Sequence, residues 1–189
     1  EEVEARYPVL TLYTRSTPDS GGAGKFRGGV SAESVFKVHG TDTAEAIFFW
    51  TGRGMATNGI LQGMPGSTGV LAIKKDTDVL RLLPKGLPSW QDISGEEKVL
   101  PGRPLPFPLS DSDVVFMSNG GGGGYGNPLD RDPLLVLKDV LDGYVSPEKS
   151  AADYGVVLDR ALGAIDEKAN ENLRRKKRKA KEGAASTNP

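Results

Sequence analysis

The residues of this chain best placed to do chemistry are cations set among glycines. In Asp19-Ser20-Gly21-Gly22-Ala23-Gly24-Lys25-Phe26-Arg27-Gly28-Gly29, five glycines in eleven residues leave Lys25 and Arg27 on either side of Phe26. Backbone N–H groups with two cations beside them could cradle an anion. The stretch lacks both the Gly-Lys-Ser/Thr ending and the strand-to-helix switch of a nucleotide loop, so a structural turn is the competing reading. Arg53 lies between Gly52 and Gly54, where its guanidinium could reach a carboxylate or phosphate bidentately; an arginine on a surface loop is the alternative. Trp50 ends the aromatic run Phe48-Phe49-Trp50, which fills core or lines a pocket. Lys25, Arg27, Trp50 and Arg53 are therefore the substrate or interface candidates.

No residue stands out for a catalytic role. His39 is the only histidine and there is no cysteine, so thiol nucleophiles, disulfides and His/Cys metal sites made within this chain are excluded. No Ser/His/Asp arrangement or spaced carboxylate pair is evident, and no metal site is expected. The run Gly120, Gly121, Gly122, Gly123, Gly124, Tyr125, Gly126 has no lysine and ends in Asn127-Pro128 rather than at a helix start. It reads as a close-packed crossing between sheet and helices, against a partner chain, where main chain meets main chain. Gly21, Gly22 and Gly24 are assigned the same structural role.

The elements that must position these loops are mostly strands. With 25 glycines and 13 prolines in 189 residues and 37% hydrophobic content, the composition suits many short strands in one core. Strands are expected at Val9–Thr14, Val30–Val38, Ala44–Trp50, Val70–Lys74, Val79–Leu83 and Asp113–Met117, with a hairpin about residues 75–78. Six prolines between Pro84 and Pro108 predict an extended, irregular surface path. The end of the chain is helical. Asp132-Pro133 and Ser146-Pro147-Glu148 are N-terminal cap signals, Leu134, Leu137, Val140 and Leu141 fall at helical spacing, and Tyr154-Gly155 is a stop. A long helix is expected over residues 159–181. The fold class that follows is α+β: a predominantly antiparallel β body, sandwich or barrel-like (1–118), a glycine crossing with two short helices (119–158), and a C-terminal helix with a basic tail (159–189).

Arg174, Arg175, Lys176, Lys177, Arg178, Lys179 and Lys181 hold seven of the 24 basic residues, so the other 17 face 25 acidic residues and the body is acidic. The basic run has no interleaved aromatics, which argues for a solvated or partner-docking tail and against nucleic-acid binding. No apolar run is long enough to cross a membrane, and the acidic start is unlike a signal peptide. A cytoplasmic location is expected.

Taken in order, the 19–29 loop, Gly63-Met64-Pro65-Gly66, the Gly120–Gly126 run with Pro128-Leu129-Asp130-Arg131-Asp132-Pro133, and Val145-Ser146-Pro147-Glu148 with Asp153-Tyr154-Gly155-Val156-Val157-Leu158 resemble the C-terminal part of the hydantoinase B/oxoprolinase family. The resemblance spans Tyr7 to Leu158 but covers only about the last third of a family member. It implies membership of an ATP-dependent multi-subunit enzyme. In such enzymes ATP and Mg²⁺ sit on a hydantoinase A-type chain, and a larger hydantoinase B-type chain carries any catalytic divalent metal, so this chain alone would bind no cofactor. The substrate implied is a small carbonyl or a cyclic amide. A carboxylase like acetone or acetophenone carboxylase, a ring-opening hydantoinase, oxoprolinase or lactamase, and a non-catalytic scaffold are the three expectations. The chain is either a separate subunit or a segment cut from a longer one, and inactive alone.

Overall fold

A computed structural model describes residues 2–48, 54–101, 105–159 and 163–186. The class is α+β, with an antiparallel sheet and a helical end. The chain forms two compact units from interleaved segments: Glu1–Thr17, Ala32–Met55 and Thr68–Gly120 in one, and Pro18–Ser31, Ala56–Ser67 and Gly121–Pro189 in the other.

In the first unit a short helix α1 (Glu2–Arg6) leads into strands β1 (Val9–Thr17), β2 (Ser31–Val38), β3 (Thr43–Ala46), β4 (Val70–Lys75), β5 (Glu96–Val99), β6 (Phe107–Ser110) and β7 (Val114–Ser118). Five of them make one sheet in the order β1-β2-β7-β4-β5, and β3 pairs separately with β6. The last of these five strands in sequence is thus central, with Val35 opposite Phe116 on one side of β7 and Ala72 opposite Phe116 on the other.

Alternation sorts the side chains onto two faces. Leu12, Val35, Ala72 and Val114 enter a cluster with Trp90 and Ile93; Val38, Leu71, Ile73 and Val115 enter another with Leu100 and Leu109. Lys74 falls on the Trp90 face and stays there because its ammonium donates to the carbonyls of Trp90 and Ile93, both at 2.8 Å, and sits 4.5 Å from the Trp90 ring. Asp113, also buried, accepts from Lys75 Nζ at 2.7 Å and from the Ser110 N–H at 2.8 Å.

Four expectations about the β body change. Residues Val79–Leu82 form a helical turn, α2, rather than a strand. Val79, Leu82 and Leu83 stand at i, i+3 and i+4, and this spacing packs all three against the Trp90 cluster. No hairpin forms about 75–78, because β4 pairs with β5 and β7. The 84–108 stretch contains β5, β6 and a 3₁₀ turn at Trp90–Asp92, and it buries Trp90, Ile93 and Leu100. Apolar residues between the prolines therefore pull it into the core. β3 stops at Ala46; Phe48 stacks 5.9 Å from Phe107, while Phe49, Trp50 and Arg53 lie outside the described residues.

In the second unit the cap signals hold. Helix α3 (Pro133–Leu141) begins with the Asp132 carboxylate accepting from Leu134 N, and α4 (Pro147–Tyr154) begins with Ser146 accepting from Lys149 N and ends at Gly155, φ +66°. On α3 the buried residues are Val136 and Asp139, whereas Leu134 and Leu141 of the expected stripe are exposed. The last helix starts later than expected. A two-residue ladder of β8 (Leu158–Asp159) with β9 (Ala164–Ile165) intervenes, and α5 runs Glu167–Ser186 with Asp166 Oδ1 accepting from Ala169 N at 2.9 Å. Among the described residues no helix is long and apolar enough to cross a membrane.

Candidate functional site

The site is built on backbone. Segments 18–31, 56–67 and 121–127 lack long regular structure, yet they are bonded to one another along their length. Gly22 N donates to Gly122 O (2.8 Å), Gly122 N to Gly29 O (2.9 Å), Met64 N to Ala23 O (2.7 Å), Gly124 N to Met64 O (2.9 Å) and Gly121 N to Ser67 O (3.1 Å). Each segment thus bonds to both others, forming a lattice. Such spacing requires glycine: a Cβ on Gly28 would run into the Gly122 carbonyl, and one on Gly63 into the Gly124 carbonyl. Within its own unit the glycine run packs against the chain's two other glycine loops.

The lattice also bears on anion binding by these loops. The N–H groups of Gly22, Gly28, Gly63, Gly66, Gly121, Gly122, Gly124 and Gly126 donate to carbonyls of the chain, so they do not converge on an external anion. Nor do side chains fit a metal: among the described residues no three His, Cys, Asp or Glu gather to hold one.

Beneath one edge of the lattice lies a buried charge centre. Asp139 of α3 takes Arg131 Nη2 on Oδ2 at 2.8 Å and Arg27 Nη2 on Oδ1 at 3.3 Å. Arg27 also donates to Gly28 O at 2.7 Å and lies 5.1 Å from the Tyr144 ring, and Arg131 donates to Lys25 O at 3.1 Å. Two arginines on one carboxylate therefore staple a lattice loop to α3. Tyr154 packs in the helical core at 2% exposure, its hydroxyl has no partner among the described residues, and burial pushes its pKa up to about 12.

The basic run is partly folded into this unit. Arg174 donates to the carbonyls of Tyr154 (3.2 Å) and Arg131 (2.8 Å), Lys177 to Ala152 O (2.7 Å), and Arg178 to Leu129 O and Asp130 Oδ1, both at 3.1 Å. Ala152 and Tyr154 offer the last carbonyls of α4, where cations are favoured. Burial pushes the Arg174 pKa down. Where the sequence predicts a solvated or partner-docking tail, these three residues dock the helix onto carbonyls of its own unit.

Of the sequence candidates, Arg27 is a structural staple, and Lys25 is exposed with its ammonium 5.9 Å from the Phe26 ring. Gly21, Gly22, Gly24, Gly121, Gly122, Gly123, Gly124 and Gly126 come together in the lattice; Gly120 belongs to the other unit. Sequence reasoning misses Arg131, Asp139 and Tyr154. Asp139 carries a signal: an acid three residues after Val136, on the inward face of a helix, calls for a buried cation.

The described residues thus form a sheet unit and a glycine-lattice unit. The family follows from comparison. Residues 1–128 match the Hydantoinase B/oxoprolinase family model, and the chain belongs to that family. It is 33% identical over 174 residues to the B component of a putative D-/L-hydantoinase of Pseudomonas sp. NS671, covering 90% of this chain and 26% of that one. Its fold is similar to nucleotide-free acetone carboxylase (TM-score 0.81, 28% identity, 98% of this chain and 26% of that one). It is also similar to the ATP-dependent caprolactamase of Pseudomonas jessenii (TM-score 0.68, 27% identity, 91% and 27%). The chain spans about a quarter of the length of these relatives.

Proposed function

We propose that this chain is a non-autonomous part of an ATP-dependent, multi-subunit carboxylase of the acetone carboxylase kind, which adds bicarbonate to a ketone through a phosphorylated intermediate. The observation that carries the reading is the superposition: acetone carboxylase matches more of the chain, and more closely, than caprolactamase does. Its partners would be a hydantoinase A-type chain that holds ATP and Mg²⁺ and a larger hydantoinase B-type chain holding any catalytic metal, in the cytoplasm. This chain's own contribution is architectural. The lattice fixes three loops without side-chain bulk, and the Arg27–Asp139–Arg131 staple holds a lattice loop to α3.

The second reading is ATP-dependent opening of a cyclic amide. Sequence identity to the Pseudomonas sp. NS671 hydantoinase component, higher than that to acetone carboxylase, favours it. ATP turnover by the purified complex decides between the two. Stimulation by a ketone plus bicarbonate supports the carboxylase, and stimulation only by a hydantoin or lactam rejects it.

A further inference from the structure

The lattice presents an apolar row that nothing in its own unit covers. Tyr125 forms an antiparallel backbone bridge to Phe26 and a parallel one to Ile60. Residues bridged in this way project from the same side of the ladder, and the Phe26 and Tyr125 rings accordingly meet at 6.1 Å. The Phe26, Tyr125 and Ile60 side chains are 61%, 48% and 61% exposed, and Leu61 beside them 65%. Positive φ at Leu61 (+49°) and Gln62 (+71°) puts ordinary residues in a conformation they rarely adopt, so the loop carrying Ile60 and Leu61 is strained into place. The row is also pre-ordered: Phe26 N donates to Tyr125 O at 3.0 Å and Tyr125 N to Phe26 O at 2.9 Å. Aromatic and aliphatic anchors on rigid backbone are what an interface hot spot needs, because little side-chain freedom remains to be lost on docking.

We infer that Phe26, Tyr125, Ile60 and Leu61 form the docking surface for the part of a hydantoinase B-type protein that lies outside these 189 residues. The occupant follows from length. About three-quarters of each relative lies outside the portion that this chain matches, and the row lies within the 1–128 stretch that matches the family model. Lys25, exposed above Phe26, asks for an acidic group at the partner's rim. The inference rests on the reading of the chain as part of a larger complex and adds which surface makes the joint.

The test uses the complex recovered from the source cells through a tag on this chain, its members identified by mass. Hydroxyl-radical labelling of Phe26, Tyr125 and Leu61 is then compared between the complex and the free chain. A larger hydantoinase B-type chain should be present and labelling of the row should fall roughly tenfold; Phe26→Ser with Tyr125→Ser should weaken association by at least about tenfold while the free chain keeps its unfolding midpoint. If that chain is present but the row labels as fast as in the free protein, the surface assignment fails and the complex reading stands. Protection by a second copy of this chain alone overturns the assignment too. Recovery of the chain as a lone monomer overturns both.

Discussion

Replacing Gly24 by alanine tests the lattice at a point where its tightness can be stated. A Cβ there would stand 2.6 Å from Tyr125 N, 2.7 Å from Phe26 O and 2.8 Å from Tyr125 O, against the 3.4–4 Å of ordinary contact. All three obstacles are main chain, so no rotamer change relieves them, and the loops must part by more than half an ångström. Parting stretches the paired Phe26–Tyr125 bonds of 3.0 and 2.9 Å beyond useful length. Overpacking costs about 1–3 kcal/mol and each of the two weakened backbone bonds about 1 kcal/mol, so a loss of roughly 3–5 kcal/mol is expected, large against the total stability of a domain. Gly29 is the control: a Cβ there meets nothing within 4 Å, so Gly29→Ala should be neutral or stabilise by about 0.5 kcal/mol. Urea unfolding followed by far-UV circular dichroism, with hydrogen exchange resolving the second unit, measures both. Equal stabilities for the two variants would refute the close-packing argument.

Asp139→Asn leaves Arg27 and Arg131 buried without a countercharge and should cost about 3 kcal/mol in urea unfolding; a change under about 0.5 kcal/mol would mean the staple contributes nothing. Tyr154→Phe removes a buried hydroxyl with no partner among the described residues and should raise stability by about 1 kcal/mol at neutral pH. The same substitution should flatten the alkaline limb: Tyr154 is held protonated up to about 12 in the fold, so wild-type stability falls as pH rises from the unfolded value near 10, and the phenylalanine variant should lose that share. At Asp113 burial pushes the pKa up, but the Lys75 ammonium and the Ser110 and Asp76 N–H groups outweigh it and hold the carboxyl low. Its stabilising contribution is present above the unfolded value near 4 and is lost as pH falls through the depressed one, so Asp113→Asn should show a shallower acid transition by circular dichroism.

Much of the β body and both short helices can be read from residues, because their signals are local. Val35, Ala72 and Val114 alternate with Phe36, Ile73 and Val115, and Asp132-Pro133 and Ser146-Pro147 are caps wherever they occur. A short window misleads. Val79–Leu82 fits a strand or one helical turn equally, and only burial of Val79 beside Trp90 decides. β5 reads Glu-Glu-Lys-Val, an exposed edge with no apolar alternation to announce it. The start of α5 is hidden because Leu158 and Ile165, whose spacing extends the helical pattern, face each other across β8 and β9. The lattice lies furthest from sight: glycines carry no side-chain pattern, so each loop shows its tightness but not that it will meet the other two.

Amide hydrogen exchange of Gly22, Met64, Gly122, Gly124 and Tyr125 tests the lattice most directly. Apart from the isolated bridges of Tyr125 these amides belong to no helix or strand, and each donates to a carbonyl of another glycine loop. The lattice predicts protection comparable to that of the amides of α3 and α4. Exchange at the rate of an unstructured loop would contradict it.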